Sequence, residues 1–491
     1  MSQTYSFALD VLLVSSAGLL ALLSNRLTAR TRVPAPLLVL IAAAVVVKAV
    51  PTLHAPPERI VVQLVTVALV LILFDGGMHI GWNRFRAAAA PIAVVGVAGT
   101  FLTAAGAAVF LYFAVGLDWY PALLVATAVS PTDPAVVFSV LGQHEIAGRS
   151  GTILEGESGA NDPVGIALMA GLIAAHGVGV GPFEQVVIEF VLQMAVGGLV
   201  GLIGGRGLLW FMRRVPLPSE SLYPLRTAVS AFVVFGVATL LHGSGFLAVF
   251  VAGIALGDSR APYKLEIERF QSALASLGEL VAFVVLGLTV DVGQLARSEV
   301  WVPGLLLGVL LAVAIRPLLV GVCLIPWPLD RGERIFALLA GLKGAVPILL
   351  GGAILDARLP QADRLYGIVV VVVVFSVAVQ GTLVPTFARL LRLPMRSVQL
   401  EPWAFGVRLG AEPEGAQRLT VASGSAADGR RIEELSDLSE GAWISIVVRD
   451  DQLLPAREDV ELRPGDEVLV LAPRELRESV RAVFSQPSGE H

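Results

Sequence analysis

Residues 126–140 read ATAVSPTDPAVVFSV, and residues 152–168 read TILEGESGANDPVGIAL. Each belongs to a run apolar enough to cross a bilayer, which takes roughly 20 residues. Each also holds what a lipid-facing helix excludes. Asp133 stands between Pro131 and Pro134, and Glu157, Ser158, Asn161 and Asp162 fall within six positions. Two prolines around an aspartate break a helix at mid-membrane depth and free backbone carbonyls and amides to face a cavity. Glu157 and Asn161 are four apart on one helical face, and so are Ser158 and Asp162, which can point at the Asp133 break. Two carboxylates, a hydroxyl and free carbonyls form a hard oxygen set suited to a small alkali cation, with no soft ligand cluster competing.

The surrounding chain sets the class. Of 491 residues, 55% are hydrophobic and 15% charged, with a mean hydropathy of +0.78. Soluble domains carry about 25% charged residues, so a water-soluble fold of this length is excluded. A disulfide scaffold is excluded too, because Cys323 is the sole cysteine and reads as a packing residue. The opening MSQTYSFALD has no basic residue, so the first apolar run is not expected to be a cleaved signal. Apolar length and breakers predict an all-α polytopic membrane protein with about 13 helices. The expected spans lie near residues 7–24, 35–50, 59–77, 90–115, 120–141, 152–175, 184–211, 222–241, 245–257, 266–290, 301–325, 333–355 and 364–388. Lys and Arg favour one set of loops by about three to one, including Arg84, Arg86, Arg213, Arg214, Arg331 and Arg334. The positive-inside rule then puts the N-terminus outside and the C-terminus in the cytoplasm.

A second interrupted span follows about seven spans after the first. In FALLAGLKGAVPILLGGAI (336–354), Gly341, Lys343, Gly344 and Pro347 would unwind a membrane helix. An odd offset between two similar segments means opposite topology, the signature of inverted repeats. Lys343 can neutralise the carbonyl ends of the half-helices and repel a second cation. Arg316, in LAVAIRPLLV (311–320), needs a carboxylate partner; Glu157 is the first choice and Glu279 the rival. Such a pair would be architectural. Asp75 closes a long apolar run before a glycine pair and either lines the approach to the site or caps a helix end. Met78 and His79 read as interfacial and His176 and His242 as span boundaries; Ser376 and Gln380 either pack against the broken helix or, by default, serve as helix–helix hydrogen bonders.

Beyond Pro394 the pattern changes. The runs WISIVV and DEVLVLA read as strands, RDDQ and RPGD as turns, and RELRESVRAVF as a charged helix. This tail carries a net charge of about −8 against about +3 for the membrane part. Nowhere is there a basic stripe for nucleic acid.

SPTDP, GESGAND, ARP-like AIRP and GLKGAVP, in that order, resemble the bacterial monovalent cation:proton antiporters of the NhaP type. The likeness covers nearly the whole membrane part and is identified as domain 1–396. It implies inverted repeats with two crossing broken helices, a homodimer and alternating access. It implies that Asp162 binds the ion and the proton, that Thr132, Asp133 and Ser158 complete the transported Na⁺ or K⁺ site, and that Glu157 pairs with Arg316. Asn161 before Asp162 matches the form associated with electroneutral exchange. Two positions depart from the family: Lys343 stands where arginine is common, and Asp75 where glutamate is common. The tail, residues 405–485, resembles a TrkA-C (RCK-C) domain, which implies a small regulatory ligand. The nucleotide-holding half that usually precedes such domains is missing, and so is any G-x-G-x-x-G between strand and helix, so no NAD or other cofactor is expected.

The expectation is therefore an antiporter of the bacterial inner membrane, bedded in lipid, and not an enzyme. One buried carboxylate takes either a proton or a dehydrated cation, and only the neutralised site crosses the barrier. The regulatory tail favours K⁺ over Na⁺. A cation channel gated by the tail is the alternative, disfavoured because no filter-like or charged-ring motif is present. A serine hydrolase built on GESG is disfavoured because no histidine lies at mid-membrane depth to activate Ser158.

Overall fold

The structure is a computed structural model. It describes residues 35–49, 57–133, 137, 144–146, 149–177, 179–259, 261–289, 292–357, 359–393, 395–397, 416–435, 442–449, 452–457, 459–472 and 476–485. The chain forms two compact units, Met1–Gln399 and Leu400–His491. The expected span at 7–24 and residue Pro134 lie outside the described residues. Each of the other twelve expected spans contains helix, although the helix in the span 120–141 ends at Ala128 and residues 134–136 and 138–141 lie outside the described residues; the first unit is an all-α polytopic membrane fold.

Helices α1 (Ala35–Ala49) and α2 (Glu58–Ala93) open the described chain. α2 continues through a π-helical turn, Val94–Ala98, into α3 (Gly99–Phe110) and a second π turn, Leu111–Val115. The expected spans 59–77 and 90–115 are thus joined by a kink instead of a loop. The kink is at Gly81, whose φ of 66° is open to glycine. The Asp258 carboxylate accepts a hydrogen bond from the Asn83 amide at 2.5 Å, capping the helix where it restarts. Asp75 therefore lies inside a helix rather than at its end, because the glycine pair Gly76–Gly77 continues the helix. Gly77 is there for packing: a β-carbon would strike the Phe250 carbonyl and come 3.0 Å from the Ile254 amide. Small residues give this close backbone approach between membrane helices.

The remaining helices of this unit are α4 (Trp119–Ala128), α5 (Arg149–Ala175), α6 (Val180–Arg214), α7 (Leu222–Leu240), α8 (Gly245–Gly257) and α9 (Lys264–Thr289). They continue with α10 (Val292–Leu295), α11 (Ser298–Leu310), a ten-residue π stretch at Leu311–Val320, and α12 (Gly321–Leu324). The last are α13 (Arg331–Leu339), α14 (Ala345–Asp356), α15 (Ala362–Phe375), a π turn at Ser376–Gly381, and α16 (Thr382–Leu390). Among the described residues six helical stretches are long and apolar enough to cross a membrane. Between Gln185 and Arg206 the exposed face of α6, with Val187, Ile188, Val191, Leu192, Leu199 and Ile203, is apolar, as a lipid-facing helix must be. His176 and His242 follow the ends of α5 and α7 with φ of 52° and 60°, the left-handed conformation that stops a helix. Two short strands, β1 (His144–Ile146) and β2 (Met395–Ser397), pair antiparallel.

The second unit is α+β. Strands β3 (Ala416–Thr420), β4 (Trp443–Arg449), β5 (Gln452–Pro455) and β6 (Glu467–Leu471) form an antiparallel sheet in the order β3-β6-β4-β5, with α17 (Arg477–Phe484) following. Val468 and Val470 alternate inward on β6 and meet Val447, Val480, Val483 and Phe484 in one core. The RPGD turn is real, with Gly465 at φ 92°. Its Asp466 side chain, nearly fully buried, accepts from Arg449 at 2.8 and 2.7 Å and from the Arg463 amide at 2.8 Å. Burial pushes this carboxyl up, but the Arg449 and Arg463 hydrogen bonds outweigh it and hold it below the usual aspartate range.

Candidate functional site: two interrupted helices and the helix between them

α4 stops at Ala128, and residues 131–133 run on without helical structure. α13 stops at Leu339, and the chain is non-helical from Gly341 until α14 begins at Ala345. The two interruptions meet: the Asp133 amide donates to the Leu342 carbonyl at 2.8 Å. A backbone hydrogen bond between two unwound segments is what satisfies polar groups that no water reaches at this depth. Glycine permits the crossing, since a β-carbon on Gly344 would collide with the Asp133 carboxylate.

Lys343 lies at this crossing with 2% of its surface exposed. Its Nζ donates to the Ser130 carbonyl at 2.9 Å and the Pro131 carbonyl at 3.1 Å. These acceptors belong to the unwound segment just past the end of α4, so the cation lies near the negative end of a half-helix. The Lys343 amide donates to Ser376 Oγ at 2.9 Å, and Ser376 Oγ donates to Gln380 Oε1 at 2.8 Å. Gln380 Nε2 in turn donates to the Leu339 carbonyl at 3.4 Å, an orphan of the α13 end. Ser376 and Gln380 thus serve the second break from the π turn of the last span. The sequence offered both residues as ones that could pack against the broken helix, although helix–helix hydrogen bonding is the ordinary role of such residues.

α5 supplies the polar cluster. Ser158 Oγ donates to the Thr132 carbonyl at 2.6 Å. Asn161 Nδ2 donates to Thr132 Oγ1 at 2.7 Å, and the Thr132 amide donates to Asn161 Oδ1 at 3.3 Å. Thr132 is therefore held at its amide, carbonyl and hydroxyl by one turn of α5. Asn161 turns with Ser158 toward the break, and not with Glu157 as the four-residue spacing suggested. Asp162, one residue on, is 5% exposed, and its Oδ1 has no hydrogen-bond partner among the described residues. Asp133 and Lys343 are the charged groups whose fields it feels.

Glu157 faces elsewhere. Its Oε1 lies 2.7 Å from Arg316 NH1, and its Oε2 accepts from NH2 at 2.9 Å. Arg316 further donates through Nε to the Leu338 carbonyl and through NH2 to the Ala337 carbonyl, each at 3.1 Å. The fork geometry is bidentate. Gly341 makes room for the guanidinium, which a β-carbon there would overlap. Glu279, the rival partner, is not the residue Arg316 meets.

Asp75 is placed apart from this cluster. Its described partners are Ser272 on α9, donating to Oδ1 at 3.0 Å, and His79, whose Nδ1 lies 3.4 Å from Oδ2. Met78 is buried while the His79 side chain is half exposed.

The arrangement can hold one small cation among oxygen donors, with a neutralising carboxylate beside them. Among the described residues there is no group of three His, Cys, Asp or Glu side chains of the kind that holds a resident metal ion.

Comparison with known proteins agrees. Residues 14–390 match the family profile "Sodium/hydrogen exchanger, transmembrane", and residues 416–485 match "TrkA-C domain". The K⁺/H⁺ antiporter NhaP of Alkalimonas amylolytica is 33% identical over 411 residues, 83% of this chain and 71% of that protein. The Na⁺/H⁺ antiporter NhaH of Halobacillus dabanensis is 28% identical over 351 residues, 67% of this chain and 83% of that one. The sodium/proton antiporter MjNhaP1 of Methanocaldococcus jannaschii shares the fold with a TM-score of 0.65 at 18% identity, over 76% of this chain and 99% of that one. The transported species of this family are monovalent cations and protons, and the family is one of transporters, not enzymes. The chain belongs to the sodium/hydrogen exchanger family: it is an NhaP-type cation:proton antiporter of the membrane with a regulatory TrkA-C domain fused behind it.

Proposed function

We propose that the protein exchanges K⁺, or Na⁺, for protons one for one across the bacterial inner membrane, with Asp162 as the group that both ions share. The observation that carries this is the buried Asp162 Oδ1, left without a hydrogen bond among the described residues beside a backbone that Ser158 and Asn161 hold open at Thr132. A buried carboxylate oxygen without a donor is costly as an anion, and either a proton or a dehydrated cation relieves it. The two cannot occupy it together, and that exclusion converts a proton gradient into cation movement. Asp133, Ser158 and Thr132 supply the remaining oxygens, and Asn161 keeps Thr132 in place. Asp75 lines the approach. Lys343 offsets the half-helix carbonyls and discourages a second cation, while Glu157–Arg316 is structural. Only the neutralised site crosses the apolar barrier, by alternating access of one inverted repeat against the other.

K⁺ is favoured because the relatives at 30–33% identity are named as K⁺/H⁺ antiporters. The N-terminus is outside and the C-terminus cytoplasmic, as the basic loops require. The membrane domain, 1–396, works as a homodimer in lipid, and the TrkA-C domain, 405–485, answers to a small ligand. Exchange in proteoliposomes with Na⁺, K⁺ and Li⁺ side by side tests the reading. Addition of K⁺ should collapse a preformed proton gradient most strongly, without generating a membrane potential. Asp162→Asn should abolish the response while the protein still purifies as a folded species. An Asp162→Asn variant that still collapses the gradient contradicts the assignment, and a single-channel conductance would replace the carrier with the channel alternative.

A further inference from the structure

β1 and β2 have no role in the transport site, yet their positions in the chain are telling. β1, His144–Ile146, lies in the connection between the interruption at Thr132–Asp133 and α5, which starts at Arg149 and carries Ser158 and Asp162. β2, Met395–Ser397, follows α16 and is the described segment from which the chain passes on toward the TrkA-C domain. The two pair antiparallel with a definite register: His144 opposite Ser397, Glu145 opposite Arg396 and Ile146 opposite Met395. Only two residues of chain separate β1 from the start of α5. The stretch that joins the two halves of the cation site is therefore hydrogen-bonded to the stretch that leads into the regulatory domain. A strand pair at this place resists sliding, because a slip of one residue exchanges the faces of every side chain.

We propose that this β1–β2 pair is the mechanical coupling through which the TrkA-C domain regulates transport. A change of state in the tail displaces β2, β2 carries β1 with it, and β1 shifts the start of α5 relative to the Thr132 break. The geometry that Ser158 and Asn161 impose on Thr132 then alters cation affinity. The proposal rests on the transport reading above and adds the route of its regulation. By linkage the route works both ways, so neutralising the site must also act on the tail.

The test uses the full-length protein in proteoliposomes, with a four-way comparison. One change loosens the tail, Asp466→Asn, which removes the buried acceptor of Arg449. The other breaks the strand pair, Glu145→Pro with Ile146→Pro. Amides of adjacent strand residues point to opposite edges, so one of these two faces β2, and proline has no N–H to give. With the pair intact, Asp466→Asn should change apparent cation affinity by about fivefold, the lower end of ordinary coupling between sites. With the pair broken, the same change should have no further effect. Equal effects of Asp466→Asn in both backgrounds, or no effect in the intact one, overturn the proposal. A wild-type protein that shows no exchange at all would instead overturn the transport reading.

A second experiment covers the case in which the proline variant fails to fold. Glu145→Cys with Arg396→Cys, in a Cys323→Ser background, places two thiols at directly opposed positions. Opposed antiparallel residues have Cα separations of about 4.5–5.5 Å, within the range a disulfide spans. Mild oxidation should cross-link this pair in the membrane and preserve the response to Asp466→Asn. Failure to cross-link, or loss of that response in the cross-linked form, contradicts the coupling.

Discussion

Glu157 and Asp162 stand on the same helix, about 7.5 Å apart along its axis and about 140° apart around it. Both are nearly inaccessible, at 2% and 5% exposure. Glu157 has both oxygens occupied by one guanidinium, whose remaining donors are used on backbone carbonyls. Asp162 keeps an oxygen with no donor among the described residues. The same chemical group at nearly the same depth is thus saturated in one place and left open in the other. A saturated carboxylate holds helices together; an open one has free valence for an ion. Burial alone does not distinguish them, whereas the count of donors does.

The sharpest way to break this comparison is to disturb the saturated residue. Glu157→Gln leaves Arg316 as an uncompensated buried charge, at a cost of about 3–5 kcal/mol. Thermal unfolding in detergent should show a large loss of stability and membrane fractions should hold less protein. Replacing both members, Glu157→Leu with Arg316→Leu, should restore much of that stability, since an apolar pair can substitute for a buried ion pair. If the double variant is as unstable as Glu157→Gln, the pair does more than hold the bundle.

A smaller effect is expected at the edge of the open site. Ser158→Ala removes the hydroxyl that fixes the Thr132 carbonyl at 2.6 Å. Loss of one such hydrogen bond is worth about 1 kcal/mol, so apparent cation affinity should fall roughly fivefold to tenfold while the maximal rate holds. Stopped-flow exchange across a cation series measures both. A reduced maximal rate with unchanged affinity would place Ser158 in the moving parts instead.

The tail offers a third carboxylate for the comparison. Asp466 is saturated like Glu157, but its partners, Arg449 at the end of the inner strand β4 and Arg463 in the turn before β6, lie within reach of water. Its hydrogen bonds hold the carboxyl below its ordinary value, so its contribution is present above the unfolded value of about 3.9 and is lost as pH falls through the folded one. Asp466→Asn should lower tail stability at neutral pH by about 2 kcal/mol and flatten the acid limb of its unfolding curve. Hydrogen exchange of β4 and β6 in the full-length protein, followed from pH 7 downward, reads this out. Unchanged protection at neutral pH would mean that Arg449 finds another acceptor.

Much of this was legible in the sequence, and the reason differs by feature. Apolar run length is a one-dimensional property, so twelve expected spans fall on helices of the described chain. The interruptions at Pro131–Asp133 and Gly341–Gly344 were legible because proline and glycine act locally. The kink at Gly81 was not, since a glycine beside basic residues reads equally well as a loop, and the Asp258 cap that stabilises it is 175 residues away. A lysine at half-helix carbonyls was expected at the break, but which carbonyls, those of Ser130 and Pro131, no side-chain pattern advertises. Asn161 was placed on the Glu157 face because spacing fixes angle to within about 40° and no better; hydrogen bonding to Thr132 decided between neighbours. Strand β3, AQRLT, lacked the apolar alternation that revealed β4 and β6. The three-residue strands β1 and β2 are too short to leave a periodic trace.

The central claim is that Asp162 holds either a proton or a cation, never both. Calorimetric titration of the purified protein with K⁺, in two buffers of different ionisation enthalpy, counts the protons released as the cation binds. The account predicts release of about one proton per bound cation below the pH at which the site empties of protons, and none in Asp162→Asn. Cation binding without proton release in the wild type, or release that persists in Asp162→Asn, would contradict it.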